Sequence, residues 1–374
     1  MNSQWLRWIF LQKVINLFSD LIGTKPLFYA LGENKLCIAT YSAVLEDLGF
    51  NLIKTVEPNK QISINFKNIN RPDIIENRIY TLNLRQDINN FDKWNKSFLS
   101  SVKKRATFFD TKFFVPLSSG YDSGAICAAL NYLKLPYTTI TIGDSENSKI
   151  LQQRIQINKA NSCIDHIHLK SCSWNEYRTT SNLIKRDPGI VNYSHKEDGQ
   201  IDSQPRKLHE DSGSIGMYLI CKEMESRGFN AVLSGTGADE IFSDYGFGGI
   251  KYFPHSEFGG LFPDQLEGFF PWRKFYGDSQ RSYLTKDEMI AGLFGIEGRY
   301  PFLDKDLIQQ FLRLSTSLKN SRYKNCIANF LEINNYPYES GKKIGFVPQK
   351  TKFTIRERIN YRIRNFLNIK QPNG

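Results

Sequence analysis

One stretch constrains the fold of this chain more than any other, because it joins an apolar run to a helix-forming run through a turn of small residues. The run Phe113-Phe114-Val115-Pro116-Leu117 is typical of a buried strand, and residues 125–130 are typical of a helix. Between them lies the turn Ser118-Ser119-Gly120-Tyr121-Asp122-Ser123-Gly124. The pattern predicts a strand–loop–helix unit, which parallel α/β sheets repeat.

The loop in this unit has the composition of an anion site. Backbone N–H groups in the first turn of a helix lack intrahelical partners and lie at the positive end of the helix dipole. The hydroxyl groups of Ser118, Ser119 and Ser123 add donors, and Asp122 could reach a magnesium ion that bridges phosphates. On the loop alone, an ordinary capped helix after a buried strand is an equal alternative.

Two commoner loops do not fit this chain. No G-x-x-x-x-G-K-[ST] string occurs in the sequence, so the commoner nucleotide loop is excluded. In Gly120-Tyr121-Asp122-Ser123-Gly124 the serine comes one position too late for the G-x-S-x-G turn of serine hydrolases.

The stretch 118–123 resembles the S-G-G-x-D-S pyrophosphate loop of the asparagine synthetase family, with Ser119 in place of the first glycine. Three further blocks resemble that family in the family's order. They are Ser234-Gly235-Thr236-Gly237-Ala238-Asp239-Glu240, Gly295-Ile296-Glu297-Gly298-Arg299-Tyr300-Pro301-Phe302-Leu303-Asp304 and Lys342-Lys343-Ile344-Gly345-Phe346. Four blocks in order are a specific signal, whereas one alone is weak.

The resemblance implies ATP-dependent amide formation through an acyl-adenylate, with ATP and Mg²⁺ as cofactors. Lys343 would be the catalytic cation, Glu297 would handle the incoming amine, and Asp122 and Asp239 would hold magnesium. Arg299 and Asp304 belong to the third block. The implied ATP and pyrophosphate site comprises Leu117, Ser118, Ser119, Gly120, Tyr121, Asp122, Ser123, Ile142, Ser234 and Gly235.

Each of these side chains also has a structural interpretation. Glu297 and Arg299 could form an ion pair, and Asp304 could cap a helix over 305–314. Lys343 could be an exposed surface lysine, and Asp239 a plain turn residue.

Residues 1–92 are predicted to form a β-rich region that resembles a truncated glutaminase domain. The runs around Leu27-Phe28-Tyr29-Ala30 and Lys35-Leu36-Cys37-Ile38 predict a hairpin like one late in that domain. A glutaminase of this kind needs an amino-terminal cysteine, but Asn2 follows Met1 and Cys37 lies inside a predicted strand. We therefore expect no glutamine hydrolysis by this chain.

Residues 93–374 are predicted to form the ATP pyrophosphatase domain, an α/β fold with a parallel sheet covered by helices, like other adenine-nucleotide α-hydrolases. Ligands of such sheets lie at the carboxyl ends of the strands, where 118–123, Gly143-Asp144 and 234–240 would all fall. We also expect a strand over 79–82, helices through 283–340, and loops over 186–212 and 243–282, the last an aromatic core or a pocket wall. The other predicted strands are 113–117, 137–142, 165–169 and 231–234, and the predicted helices are 92–107, 122–134, 146–160 and 213–228.

Composition narrows the class of protein only coarsely. Apolar residues at 40% and charged residues at 23% are typical of a globular chain. Six cysteines without a C-x-x-C pair predict reduced thiols in the cytoplasm. A net charge of +11 fits a phosphate-rich substrate or an anionic membrane as well as nucleic acid, which we do not expect as a partner. The basic, amphipathic tail 353–367 predicts a surface helix, with a peripheral membrane contact as the minority alternative.

Two classes of function follow. The first is an enzyme that adenylates aspartate or a related acid and takes ammonia or an amine donated in trans, with free ammonia or a separate glutaminase chain as the partner. Within that class, a lactam or macrolactam cyclase and a sugar-acid amidotransferase remain open, so the carboxylate could belong to a small molecule, a peptide or a sugar. The second class is a non-catalytic homologue that binds a nucleotide.

Overall fold

The structure is a computed structural model that describes residues 5–9, 14–32, 35–66, 72–109, 111–143, 146–186, 207–339 and 348, with the backbone alone for 5–9. Lys343 and its block, Asp144 and the predicted tail helix 353–367 lie outside the described residues, as does most of the predicted loop 186–212. Within the described part of the chain, no helix is long and apolar enough to cross a membrane.

Two antiparallel sheets build the amino-terminal region. One has the strand order β1-β2-β6-β7 and the other the order β4-β3-β5. Alternate side chains of β2 and β6 point inward, so that Ile15, Leu17, Ile62 and Ile64 form a small core with Tyr29 of the second sheet. The predicted hairpin is confirmed, since β3 pairs antiparallel with β4. The elements are β1 (Trp5–Ile9), β2 (Val14–Phe18), β3 (Phe28–Gly32), β4 (Lys35–Ala39), α1 (Ser42–Asp47), β5 (Ile53–Thr55), β6 (Lys60–Asn65) and β7 (Asp73–Arg78).

The strand predicted over 79–82 is wrong, because the last strand of the first sheet ends at Arg78. The side chain of Asn59 accepts a hydrogen bond from the Tyr80 N–H (2.8 Å) and donates to the Tyr80 carbonyl oxygen (2.9 Å). Tyr80 and Leu82 then pack against the core of the following domain. The apolar residues of this run are therefore explained by packing between regions and not by a sheet.

Five parallel strands form the central sheet of the larger part of the chain, in the order β10-β9-β8-β11-β14. This confirms the predicted α/β class. The elements up to the fourth of these strands are α2 (Asp92–Ala106), β8 (Phe113–Pro116), α3 (Tyr121–Tyr132), β9 (Tyr137–Ile142), α4 (Ser148–Lys159), β10 (Cys163–Leu169), α5 (Trp174–Arg186), a 3₁₀ turn (Leu208–Glu210), α6 (Ser212–Ser226) and β11 (Ala231–Leu233).

The rest of the described chain adds short helices and the last strand. The elements are α7 (Ala238–Phe242), β12 (Gly246–Phe247), β13 (Ile250–Lys251), α8 (Arg273–Tyr276), α9 (Asp278–Gly292), β14 (Glu297–Arg299), a 3₁₀ turn (Pro301–Leu303), α10 (Lys305–Arg313), α11 (Thr316–Asn320) and α12 (Asn325–Ile333).

Helices cover both faces of the sheet. Successive side chains of a strand point to opposite faces, so each strand contributes to the core on either side. On β8, Phe113 and Val115 belong to the core beneath α2, α3 and α12, whereas Phe114 belongs to the core beneath α6 and α9. Burial on both faces explains why β8 and β11 are continuous apolar runs without alternation.

The prediction of helices throughout 283–340 is wrong at one point. Residues 297–299 form β14, which pairs in parallel with β11 and extends the sheet. Three residues are too few to give a period of two, so this edge strand is visible only through its backbone pairing.

The amino-terminal region contacts the α/β domain through two basic side chains. Lys25 binds Glu288 of α9 at 2.6 Å and the carbonyl oxygen of Gly298 at 2.8 Å. Arg281 donates to the carbonyl oxygens of Ile22 and Gly23. Helix α2 begins at Asp92, beside the predicted boundary between 92 and 93, which stays a prediction.

Candidate active site

Two loops meet at the carboxyl ends of neighbouring strands. The first, 117–120, leads from β8 into α3, and the second, 234–237, leads from β11 into α7. At Gly235 a Cβ atom would lie 2.9 Å from the Cβ of Asp122, so only glycine lets the loops approach this closely. Gly237 has φ +93°, and a Cβ there would overlap Leu303. The sequence prediction that 118–123 and 234–240 share one sheet edge is confirmed.

The first loop is held by its own hydroxyl groups. The Ser118 N–H donates to Oγ of Ser123 at 3.0 Å, the two serine hydroxyls are 2.8 Å apart, and the Gly120 N–H donates to Oγ of Ser118 at 3.2 Å. Gly120 is extended, and the helix begins at Tyr121. These internal bonds therefore fix the shape of the loop.

Arg154 of α4 holds the same loop through its carbonyl oxygens. This residue was not predicted from the sequence. Its guanidinium is fully buried and donates to the carbonyl oxygens of Ser118 (2.6 Å) and Gly120 (2.7 Å), and to that of Pro337 (2.8 Å). A Cβ on Gly124 would lie 2.5 Å from this guanidinium, which explains the glycine in the first turns of α3. An arginine within a polar helical stretch gives no sequence signal of this role.

Lys324 joins the two acidic residues of the predicted site. Its Nζ lies 2.7 Å and 2.8 Å from the carboxylate oxygens of Asp122 and 2.8 Å from Oδ1 of Asp239. The hydroxyl of Tyr323 donates to the same Asp239 oxygen at 2.8 Å. Asp122 and Asp239 are 202 and 85 residues from Lys324 in the chain, yet one ammonium group holds both.

The attraction between Lys324 and the carboxylates of Asp122 and Asp239 is only weakly screened by water, because Lys324 is almost fully buried. Burial alone would lower the pKa of Lys324, but the carboxylates of Asp122 and Asp239 outweigh it and raise the pKa well above its ordinary value. Lys324 also has φ +46° and ψ +46°, in the left-handed region, just before α12. A single lysine before an apolar helix gave no indication of a site, so it was missed from the sequence.

Asp122 and Asp239 fit the magnesium that the family resemblance implies. One or two carboxylates together with substrate phosphates are a common Mg²⁺ ligand set, and both carboxylates already surround one cationic group. Among the described residues, no group of three or more His, Cys, Asp or Glu side chains could hold a metal ion. Phosphate oxygens would have to complete the coordination.

Ser119, the departure from the family pattern, is bonded to Glu146. The Ser119 N–H donates to Oε2 of Glu146 at 2.6 Å, and the Ser119 hydroxyl donates to the same oxygen. The same hydroxyl accepts from the Asn147 N–H at 3.2 Å. Ser119 is buried and Glu146 half-buried. Glu146 is the third residue that the sequence analysis did not identify.

The second loop is braced by a buried acid. Oδ2 of Asp287 accepts from the Ser234 hydroxyl at 3.2 Å and from the Thr236 hydroxyl at 2.5 Å. Burial raises the pKa of Asp287, although Lys286 and the two hydroxyls oppose the rise. Asp287 on α9 thus shapes the turn that carries Gly235 and leads to Asp239.

Three other predicted residues border the loops. Leu117 and Ile142 are buried near the ends of β8 and β9, and the Leu117 carbonyl oxygen accepts from the Thr141 hydroxyl. The ring of Tyr121 packs edge to face on Tyr323, with 5.5 Å between ring centres.

The third block supports the second loop, because the Ser234 N–H donates to the Arg299 carbonyl oxygen at 2.8 Å and Leu303 packs against Gly237. Glu297 is level with Ala231 at the amino-terminal end of β14, so the register does not bring it to the carboxyl ends of the strands. Its carboxylate binds Arg299 at 2.8 Å, as the ion-pair alternative predicts. Asp304 caps α10, whose described end is Arg313, and also binds Lys104 and Arg105.

The segment predicted as a loop over 243–282 is largely irregular, and its aromatic side chains support the core alternative. Phe262, Trp272 and Phe275 are buried in the main core. Tyr252 is the exception in position, since its ring lies 5.3 Å from that of Tyr323 beside Asp239. Tyr252 therefore borders the site, as does Ser243, whose hydroxyl donates to Oδ1 of Asp239 at 3.3 Å.

The fold and these loops define an α/β domain with a parallel sheet and two glycine-containing loops at the carboxyl ends of its strands. The comparisons with known proteins agree, because residues 93–276 match the model of the asparagine synthase family. This stretch of the chain is an asparagine synthase domain.

Two relatives and one solved structure are similar to parts of this chain. A protein of Methanocaldococcus jannaschii, provisionally named a glutamine-hydrolysing asparagine synthetase, is 26% identical over 84% of this chain and 56% of its own length. Asparagine synthetase 1 of Arabidopsis thaliana is 34% identical over 28% of this chain and 16% of its own length. The chain thus spans about half, or less, of these relatives. The NH3-dependent NAD synthetase of Campylobacter jejuni is 11% identical with a TM-score of 0.26, over 69% of this chain and 99% of its own.

Proposed function

We propose that this chain is an ATP-dependent amide-forming ligase of the asparagine synthetase type. A carboxylate oxygen of the substrate attacks the α-phosphorus of ATP, pyrophosphate leaves, and ammonia or an amine then displaces AMP from the acyl carbon. The single observation that carries this proposal is the meeting of the 118–123 loop, Asp122, Asp239 and Lys324 at one edge of the sheet.

The residues of this edge have complementary tasks in the proposed reaction. The loop offers N–H groups and hydroxyls at the start of α3 for the departing pyrophosphate. Lys324 supplies a fixed positive charge next to it. Magnesium held by Asp122 and Asp239 would offset the charge that develops on the phosphates. The predicted catalytic role of Lys343 belongs to this proposal and concerns a residue outside the described part of the chain.

The second half of the reaction is supported less directly. Glu297 stays the proposed amine-handling residue on the family resemblance, although its bond to Arg299 supports the structural alternative equally. We propose aspartate or a related acid as the carboxylate, and ammonia released by a separate glutaminase as the amine. The relatives named above are glutamine-hydrolysing enzymes about twice as long as the matched stretch, or longer.

Pyrophosphate release tests the proposal. The purified chain, with Mg-ATP and ammonium, is given aspartate and then a panel of other carboxylic acids. Asp239→Asn should abolish the release, whereas Asp306→Asn, an exposed aspartate on α10, should not change it. Release that persists in Asp239→Asn would overturn the assignment of the site. Mass spectrometry of the product separates ring closure, which loses water, from amidation, which gains nitrogen.

A further inference from the structure

The donors of Ser119 are not free to bind an anion, because a protein carboxylate holds them. We propose that Glu146 is an internal ligand of the phosphate loop, that it competes with the pyrophosphate group of the nucleotide, and that the Ser119–Glu146 pair sets nucleotide affinity. This inference rests on the proposed function, since it takes the loop to be a nucleotide site.

The contact has the form of a charge-assisted anion site. One oxygen of Glu146 accepts two donors of one loop residue, its N–H at 2.6 Å and its hydroxyl. Bonds of this kind to an ionised group are about twice as strong as neutral ones. Ser119 is 4% exposed, so water replaces little of the contact.

A phosphate oxygen and the Glu146 oxygen cannot use these two donors together. A carboxylate and a phosphate are both anionic oxygen acceptors, and loops before helices bind either. In addition, a phosphate beside the Glu146 charge would be repelled. Binding of the pyrophosphate group at Ser119 therefore requires Glu146 to leave.

Glu146 can leave without breaking the helix that follows it. It precedes the N-cap residue Asn147, whose side chain accepts from the Ile150 N–H at 3.3 Å and donates to Glu339 at 2.9 Å. The helix is thus capped by Asn147, and the Glu146 side chain has no part in that cap.

Ser119 supplies the second donor of this contact through its hydroxyl group. Where the family pattern has glycine, only an N–H is offered, whereas the serine adds a hydroxyl that is held by the Asn147 N–H. The serine and the glutamate are therefore expected to act as a unit in nucleotide binding.

Calorimetric titration of the full chain with Mg-ATP tests this. Glu146→Gln keeps the shape and removes the charge, and it should lower the Kd for ATP about tenfold, as expected for one charged hydrogen bond of this strength. Ser119→Ala should also lower the Kd, and its effect should not add to that of Glu146→Gln. Glu223→Gln, on the surface of α6, is the matched control and should leave the Kd unchanged.

The outcomes separate the inference from the function on which it rests. If the unmodified chain binds ATP and both variants bind it with the same or lower affinity, the internal ligand is overturned while the nucleotide site stands. If neither the unmodified chain nor either variant binds ATP, the nucleotide site itself is overturned and the inference with it. Binding by Glu146→Gln alone would support both.

Discussion

Lys324 and Asp239 lie 85 residues apart in the chain and 2.8 Å apart in space, with Asp122 on the other side of the same ammonium group. The lysine is almost fully buried and adopts the left-handed conformation. A buried cation between two carboxylates offsets their negative charge. The same relationship ties the start of α12 to the first turns of α3 and α7, which follow the two loops.

Lys324→Met should destabilise the protein strongly, because it leaves two partly buried carboxylates without their counter-ion. Removing one partner from a buried ion pair costs about 3–5 kcal/mol. Urea unfolding measures the change, and Lys305→Met, at an exposed lysine of α10, should cost below about 1 kcal/mol. Equal stabilities of the two variants would contradict the role given to Lys324.

Gly124→Ala should displace Arg154 from the phosphate loop. A Cβ at this position would lie 2.5 Å from the guanidinium, and inserting a methyl group into a filled core costs about 1–3 kcal/mol. The free energy of unfolding should fall accordingly, with weaker ATP binding. In an Arg154→Met background the alanine should cost little more, and full additivity of the two changes would argue against the contact.

We expect Asp304 to contribute to the free energy of unfolding in a way that is lost in acid. Burial alone would raise its pKa, but Arg105 and Lys104 outweigh burial and lower the pKa to about 2. A carboxyl whose pKa is lower in the folded state stabilises the fold fully above its unfolded pKa of 3.8, and that stability is lost as the pH falls toward 2.

The size of this contribution is about 2 kcal/mol. Asp304→Asn should remove the acid-dependent part of the unfolding free energy between pH 5 and 2, in addition to leaving Arg105 buried without its partner. The exposed Asp306→Asn serves as the control. A pH profile of Asp304→Asn that parallels the unmodified protein would contradict the pairing.

Glu297→Gln distinguishes adenylation from amine transfer. The register puts Glu297 at the amino-terminal end of β14, away from the two loops, so pyrophosphate release should be unchanged. Arg299 is buried whereas Glu297 is half-exposed, so loss of this pair should also lower the free energy of unfolding, by about 1 kcal/mol or more. Amide product is quantified in the same reactions. Loss of product with pyrophosphate release retained would support the amine-handling role, and loss of both would contradict the separation.

Sequence patterns predicted the sheet well because its central strands are short runs of apolar and β-branched residues buried on both faces. The span 137–142 was predicted without error, and 113–117 and 231–234 each differ from the observed strand by one residue at the end. The predictions of helix at 297–299 and of a strand at 79–82 were both wrong. Backbone pairing decides the structure of these two segments, and neither has a clear hydrophobic period in the sequence.

The predicted loops were found together, but their supporting residues were not predicted. Asp122 and Asp239 lie in recognisable blocks, whereas Lys324, Arg154 and Glu146 reach the site only through the tertiary fold. Lys324 precedes an apolar helix, Arg154 lies in a polar one, and Glu146 follows a strand. None of these settings distinguishes a site residue from an ordinary one.

The most direct test of adenylation follows one oxygen atom. With an acid that supports pyrophosphate release, the carboxylate is labelled with ¹⁸O and the nucleotide product is examined by mass spectrometry. The proposed reaction predicts one labelled oxygen in AMP, transferred when the amine displaces it from the acyl carbon. Label in inorganic phosphate, with ADP as the nucleotide product, would contradict an acyl-adenylate.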